Sequence, residues 1–137
     1  MTIAPLQDDR HCFACGPDNE RGLRMRFEYG DGSARCEIAP GDAFAGWRDI
    51  MHGGIVAVLL DEAMAHATLS TGVRAVTARL EVRFRKAVPT DEMLVVEGRV
   101  TSQRGRMLEV EGMLRGKDGT LYAEGHSRFV TERAGGG

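Results

Sequence analysis

The sequence lacks any long hydrophobic run. Its segments without a formal charge reach only 11 residues, as at 50–60, whereas a transmembrane helix needs about 20 apolar residues. The first ten residues also lack the basic start and the apolar stretch of a secretory signal. We therefore expect a cytoplasmic protein with no membrane partner.

An excess of either charge is also missing. The chain has 18 basic and 20 acidic side chains and a net charge of −2, which argues against nucleic-acid binding because that function usually needs a clear basic excess. Three cysteines in a chain without an export signal indicate reduced thiols and no disulfide framework. With 137 residues, of which 42% are hydrophobic, the chain can form one domain with its own core.

Most of the chain follows the two-residue period of β-strands. Alternation at 22–29, the turn pair Asp31 and Gly32, and a second run at 33–39 predict a hairpin. Four longer strands are predicted at 79–85, 93–103, 106–115 and 121–131. Each of them has one polar face, which favours an antiparallel sheet of about six strands.

One segment of different character separates the two groups of strands. Residues 53–70 contain no proline and are rich in Ala, Leu and Met, a composition that predicts a helix of about four turns. Because this helix is apolar nearly all round, protein must enclose it. We therefore predict an α+β domain at 22–132, with a long antiparallel sheet wrapped around one central helix, an irregular arm at 1–21 and a flexible tail at 133–137.

Two glycines stand at the predicted start of this helix. Gly53 and Gly54 each cost about 1 kcal/mol relative to alanine inside a helix, yet the N–H groups of a first turn have no intrahelical partner. Such N–H groups, at the positive end of the helix dipole, can stabilise an oxyanion. The alternative is that the glycines only allow the helix start to pack tightly against the sheet.

An acidic pair, Asp61 and Glu62, interrupts the apolar helix. Burial of an unpaired carboxylate is costly, so we expect one of the two side chains to face inward and to have a function. The alternative is a wetter stripe in which Glu62 pairs with His66, four residues later. Because adjacent helical residues point about 100° apart, only one of the two acids can face a given cleft.

Gly53 and Asp61 cannot act on the same carbonyl within one chain. Eight residues separate them, which is about 12 Å along a helix, whereas a base and an oxyanion donor must each lie about 3 Å from the reacting group. Two copies of the helix, antiparallel about a two-fold axis, would bring each glycine to the other copy's carboxylate. Catalysis by this pair therefore predicts a homodimer with two shared sites.

Three segments carry a family resemblance. They read MHGGIVAVLLDEAM at 51–64, VTARLEVRFR at 76–85 and CFACGP at 12–17. Together they resemble the hotdog-fold acyl-CoA thioesterases, and the phenylacetate-degradation type is the group that they resemble most. The resemblance implies a hotdog fold, hydrolysis of acyl-CoA to free acid and CoA, and assembly as a homodimer or homotetramer. We expect no organic cofactor and no metal.

The resemblance also implies roles for individual residues. Asp61 takes the position of the nucleophile or general base, and Gly53 that of the backbone N–H that polarises the thioester carbonyl. His52 shapes or hydrogen-bonds the helix start, and Thr77 assists the acid or its water within the same subunit. One departure is Gly46, because relatives often have Asn or Gln six residues before the histidine.

Gly54 and Glu62 complete the expected site as substrate-binding residues. Basic side chains on the strand after the helix could contact the phosphates of CoA, although a solvated strand face is the more common reason for such a cluster. Cys12 and Cys15, together with His11, have the spacing of half a zinc site. No second pair of ligands follows, although Cys36 or a partner subunit could complete such a site. The favoured interpretation is two apolar thiols in an arm packed on the sheet.

Two competing functions would use the same fold. The departure at Gly46 leaves open a non-catalytic acyl-CoA binding module, since one fold can host many functions. A hydratase or dehydratase is a weaker alternative. The sequence contains no serine-hydrolase elbow, no Walker A loop, no dinucleotide fingerprint and no HExxH motif.

Overall fold

One long helix packs against one face of an antiparallel sheet. The computed structural model describes residues 3–132, and helix α1 spans Gly53–Leu69. The strands are β1 (Glu28–Gly30), β2 (Ser33–Ile38), β3 (Ala45–Trp47), β4 (Ile50–Met51), β5 (Ala75–Phe84), β6 (Leu94–Arg104), β7 (Met107–Gly116) and β8 (Leu121–Thr131). Six of these strands form the main sheet in the order β1-β2-β6-β7-β8-β5, and β3 pairs with β4 in a separate two-stranded sheet. The predicted α+β architecture is confirmed.

The core lies between α1 and the inner face of the sheet. Leu59, Leu60 and Met64 of the helix are fully buried, and they pack in one cluster with inward-facing residues of the strands, such as Leu108 and Val110 of β7. The period of two along β7 supplies these contacts, because every second side chain points to the helix. No helix within residues 3–132 is long and apolar enough to cross a membrane.

A row of glycines lets the helix lie close to the sheet. Gly98, Gly112 and Gly125 are neighbours across β6, β7 and β8. A Cβ atom on Gly98 would lie 2.4 Å from the carbonyl oxygen of Ala63, and one on Gly125 would lie 2.9 Å from Cε of Met64. Larger residues at these positions would push α1 away from the sheet, so the glycines fix the depth at which the helix and its acidic pair sit.

The prediction of a first strand at 22–29 is wrong over most of that range. Only Glu28–Gly30 is a strand, because the alternating residues before it pair with the arm instead of the sheet. The N–H of Leu23 donates to the Phe13 carbonyl and that of Met25 to the Ala14 carbonyl, both over 2.9 Å. Within residues 3–21 the arm contains turns but no helix or strand, and the predicted tail lies outside the described residues.

Strand β5 forms one edge of the main sheet. It pairs with β8 on one side, and no other strand of residues 3–132 pairs with its second side. The strand is 10 residues long, and two of its large apolar side chains are exposed, Leu80 to 37% and Phe84 to 55%. A long edge with unpaired backbone groups is a template for pairing with another chain.

Candidate active site

The start of α1 carries a histidine cap and two exposed glycines. His52 caps the helix, because its Nδ1 accepts a hydrogen bond from the N–H of Gly54 over 2.8 Å. Its carbonyl accepts from Ile55 and Val56. Within residues 3–132, the N–H of Gly53 has no hydrogen-bond partner, and Gly53 itself is exposed. An exposed and unpaired N–H at the positive end of a helix can polarise a carbonyl oxygen.

The two glycines differ in why they lack side chains. A Cβ atom on Gly54 would lie 3.0 Å from Nδ1 of His52 and would crowd the cap. A Cβ atom on Gly53 would meet only the ring of Phe84, at an ordinary contact distance of 3.6 Å. Packing against His52 therefore explains why residue 54 is a glycine. Packing does not explain why residue 53 is one. The predicted oxyanion role stays a prediction for Gly53, whereas the Gly54 N–H is already used by His52.

Asp61 faces the edge strand β5. Thr77, near the start of this strand, donates a hydrogen bond from Oγ1 to Oδ1 of Asp61 over 2.6 Å. Burial raises the pKa of Asp61 above its ordinary value, although the hydrogen bond from Thr77 lowers it, and the nearby charge of Glu62 adds to the rise. A half-buried carboxylate with a raised pKa and a fixed orientation is a suitable general base.

Glu62 points in a different direction from Asp61. Its Oε1 lies 3.1 Å from Nε2 of His66 and accepts from Sγ of Cys12 at 3.6 Å. Burial tends to raise the pKa of Glu62, but the hydrogen bonds from His66 and from the cysteine thiols outweigh burial and lower it below its ordinary value. The pairing of Glu62 with His66 is thus observed, but the predicted wetter stripe is not, because the two side chains are only 15% and 11% exposed. Asp61 does not share this pairing.

The two predicted catalytic groups lie far apart in one chain. Gly53 and Asp61 are separated by eight residues of α1, or about 12 Å. Both lie beside the edge strand, since Phe84 at its end neighbours Gly53 and Thr77 near its start contacts Asp61. A site that uses both groups therefore needs a second copy of the chain on this edge.

The hairpin β3–β4 lies next to the helix start. A Cβ atom on Gly46 would lie 3.2 Å from Cα of His52, so an Asn or Gln at this position would lie against the cap. The neighbouring Trp47 is 81% exposed, and it pairs with Ile50 across the hairpin. Sequence periodicity did not reveal this hairpin because its strands are only three and two residues long.

Two of the basic side chains considered for CoA binding are already paired. Arg79 bonds Glu81, and Arg85 bonds Glu124 over 2.8 Å. All four side chains are substantially exposed, as on a solvated strand face. CoA binding by these arginines stays a prediction.

Comparison with known sequences identifies one family. The family model of the thioesterase superfamily matches residues 49–123 of this chain. Similar proteins include acyl-coenzyme A thioesterase THEM4 of Bos taurus, 29% identical over 96 residues, and acyl-coenzyme A thioesterase THEM5 of Homo sapiens, 25% identical over 96 residues. Each match covers 69% of this chain and 39% of the relative, so the chain spans about two fifths of the length of these relatives.

Solved structures share the fold. The thioesterase superfamily protein RHA08564 has a TM-score of 0.82 and 30% identity, over 88% of this chain and 63% of that one. The E. coli PaaI protein from the phenylacetic acid degradation operon has a TM-score of 0.77 and 18% identity, over 82% of each chain. The protein smu.793 of Streptococcus mutans, bound to acetyl CoA, has a TM-score of 0.75 and 18% identity, over 80% of this chain and 91% of that one.

Proposed function

Because this chain belongs to the thioesterase superfamily and has its hotdog fold, we propose that it hydrolyses acyl-CoA thioesters to a free acid and CoA. The observation that carries the proposal is the half-buried Asp61 carboxylate, oriented by Thr77 over 2.6 Å. The names of the curated relatives, which are acyl-coenzyme A thioesterases, and the acetyl CoA bound to smu.793 support CoA thioesters as substrates.

The proposed enzyme is a homodimer, or a homotetramer made of such dimers. Antiparallel pairing of β5 with its copy about a two-fold axis would satisfy the unpaired edge and cover the exposed Leu80 and Phe84. Because Gly53 and Asp61 lie toward opposite ends of β5, the same pairing would bring the helix start of one subunit toward the carboxylate of the other. Each dimer would then contain two sites.

The reaction in each site breaks the C–S bond of the thioester and forms a C–O bond to water. In this proposal, the N–H of Gly53 donates to the thioester oxygen as negative charge develops there. His52 accepts a hydrogen bond from the neighbouring N–H of Gly54 and not from that of Gly53. The Gly53 amide is therefore available to the substrate. Asp61 of the other subunit either removes a proton from the attacking water or attacks the carbonyl carbon itself. In the first route, this proton passes to the departing sulfur of CoA. In the second route, the CoA thiolate leaves as an anhydride forms on Asp61, and water then hydrolyses the anhydride, which regenerates the carboxylate and supplies the proton to sulfur.

Gly54 and Glu62, the two expected substrate-binding residues, do not take part in the proposed bond-making steps. Gly54 leaves room for the His52 cap and adds no side chain beside the substrate. Glu62 is paired with His66, and its contact with substrate stays a prediction. The reaction as proposed requires no cofactor. The cytoplasmic location and a preference for phenylacetate-type acyl groups also stay predictions.

A panel of purified acyl-CoAs of short, long and aryl type tests the proposed activity. We expect free CoA thiol to appear with at least one class of substrate, at a rate that depends on enzyme concentration. Tight binding of acyl-CoA without release of thiol would favour the non-catalytic binding module that Gly46 leaves open. Loss of the absorbance of an enoyl-CoA, without thiol release, would favour a hydratase.

Replacing Thr77 with valine is expected to move the acid limb of kcat/KM to higher pH. The hydrogen bond from Thr77 favours the carboxylate form of Asp61, so its loss raises the pKa of this group further and the base ionises only at higher pH. We also expect kcat to fall about tenfold at neutral pH, because the carboxylate loses its orientation. The measurement is the pH profile of acyl-CoA hydrolysis for the two proteins.

Thr77→Ser is the matched control, because serine keeps the O–H donor. We expect it to retain the wild-type pH profile. An acid limb that does not move in Thr77→Val would show that this hydrogen bond has no part in tuning the base.

A further inference from the structure

Two cysteines of the arm and one carboxylate of α1 come together apart from the proposed catalytic pair. Sγ of Cys12, Sγ of Cys15 and a carboxylate oxygen of Glu62 all lie within 4.8 Å of one another. Cys12 Sγ and Glu62 Oε1 are 3.6 Å apart, although the two residues are 50 positions apart in sequence. The fold, and not a local motif alone, therefore assembles this group.

The turn that carries the two cysteines is fixed by its own backbone. The N–H of Cys15 donates to Sγ of Cys12 over 3.4 Å, a hydrogen bond that strengthens when the sulfur is a thiolate. The N–H of Gly16 donates to the carbonyl of Cys12 over 2.8 Å. A Cβ atom on Gly16 would lie 2.4 Å from the nitrogen of Cys12. This Cys-x-x-Cys-Gly turn thus holds both thiols near Glu62 before any ion binds.

A second layer of contacts orients the carboxylate. Glu62 is only 15% exposed and pairs with Nε2 of His66, whose Nδ1 lies 2.6 Å from the Tyr29 hydroxyl. The His66 ring also stacks on Phe27, with ring centroids 4.0 Å apart. Such outer partners fix the orientation of a metal ligand. A cavity of about 320 Å³, lined in part by Cys15, Glu62 and His66, gives solvent access to the group.

The sequence alone favours no metal here, because it shows only half of a ligand set, but the fold adds a carboxylate to the two thiols. We propose that Cys12, Cys15 and Glu62 bind one Zn²⁺ ion. Two thiolates and a carboxylate suit Zn²⁺ and are unlike the all-oxygen sites of Mg²⁺ and Ca²⁺. Tetrahedral bonds of about 2.3 Å to sulfur and about 2.1 Å to oxygen place a sulfur and an oxygen ligand about 3.6 Å apart. The Cys12 to Glu62 separation of 3.6 Å already matches this value, and a water from the cavity would supply the fourth ligand.

Binding of the ion forms three bonds to the protein and breaks two S–H bonds. The two thiol protons pass to solvent, because the thiolate and not the thiol is the ligand. The ion would join the arm to α1 at the residue next to Asp61. Metal binding is measured without substrate, and its failure would leave the proposed thioesterase activity untouched.

Titration with Co²⁺ tests the site directly. The full-length chain is reduced, stripped of metal with a chelator and titrated under anaerobic conditions. We expect a thiolate-to-cobalt charge-transfer absorption that saturates at one equivalent of Co²⁺ and disappears when Zn²⁺ is added. Absence of this absorption in folded wild-type protein would overturn the proposal.

Variants separate this site from other thiols of the chain. Cys12→Ser and Cys15→Ser should each lose most of the absorption, and Glu62→Gln, which keeps both thiols, should weaken Co²⁺ binding at least tenfold. Cys36→Ser is the matched control, because Cys36 is buried in β2, where its Sγ donates to the Glu37 carbonyl over 3.7 Å. Circular dichroism verifies folding. The assignment would be contradicted if Cys12→Ser and Glu62→Gln both bound Co²⁺ as well as the wild type does. Loss of Co²⁺ binding in a folded Cys36→Ser variant would contradict it as well.

Discussion

Asp61→Asn is expected to lower kcat for acyl-CoA hydrolysis at least 100-fold while it stabilises the fold at neutral pH. The substitution removes the only proposed base, whose contribution is typically a factor of about 100 to 10,000. The amide of asparagine keeps an oxygen that can accept the hydrogen bond from Thr77. The site should therefore keep its shape and lose only its proton acceptor or nucleophile.

The effect on stability follows from the direction of the pKa shift. Burial raises the folded-state pKa of Asp61 above its unfolded value. A group with a raised pKa contributes stability that is present below the unfolded pKa and is lost as the pH rises through the folded pKa. Asparagine does not ionise, so at neutral pH the variant should melt higher than the wild type, on the order of a few degrees.

Thermal melts of both proteins between acid and neutral pH check this stability prediction. The difference in melting temperature should shrink as the pH falls, because Asp61 becomes protonated in both the folded and the unfolded chain. Turnover close to the wild-type rate in Asp61→Asn would refute the role of this carboxylate. A variant that melts lower at neutral pH would show that the ionised group stabilises the fold, which is contrary to the burial argument.

Gly53→Pro is expected to lower kcat by about 100- to 1,000-fold, the usual loss for one oxyanion donor. The substitution removes the N–H of residue 53 and nothing else that the helix uses, because proline is well tolerated at the first helical position. The preceding His52 has φ −59° and ψ 132°, a conformation that a following proline favours. The fold should therefore persist without the proposed donor.

Gly53→Ala separates the loss of the donor from the bulk of a side chain. Alanine keeps the N–H, and its Cβ atom would meet the Phe84 ring at 3.6 Å, an ordinary contact. We expect the alanine variant to lose about tenfold in kcat through crowding of the thioester, and the proline variant to lose considerably more. Equal activity of the two variants, with circular dichroism unchanged, would exclude the Gly53 N–H as the oxyanion donor.

Much of the fold was predictable because its signals are local. The helix predicted at 53–70 is observed at Gly53–Leu69, and the three long strands β6, β7 and β8 lie within two residues of their predicted bounds. The error at 22–27 arose because alternation shows which side chains point inward without showing which backbone they pair with. There the partner is the arm.

The site was predictable in its residue types but not in its contacts. The pattern of the helix left the choice between Asp61 and Glu62 open, and only the family resemblance favoured Asp61. The structure adds the Thr77 hydrogen bond that distinguishes the two physically. No sequence rule shows that His52 accepts from the N–H of Gly54 and not from that of Gly53, because this depends on the orientation of one imidazole ring. Contact between Cys12 and the helix depends on the path of the whole arm.

In the proposed enzyme, each catalytic site combines Asp61 of one subunit with Gly53 of the other. A heterodimer of Asp61→Asn and Gly53→Pro subunits, purified through two different affinity tags after coexpression, measures this most directly. We expect about half of the wild-type activity, because one site of the heterodimer then carries both substitutions and the other carries neither. Activity no higher than that of the two mutant homodimers would place both groups of each site in a single chain and would refute the shared site.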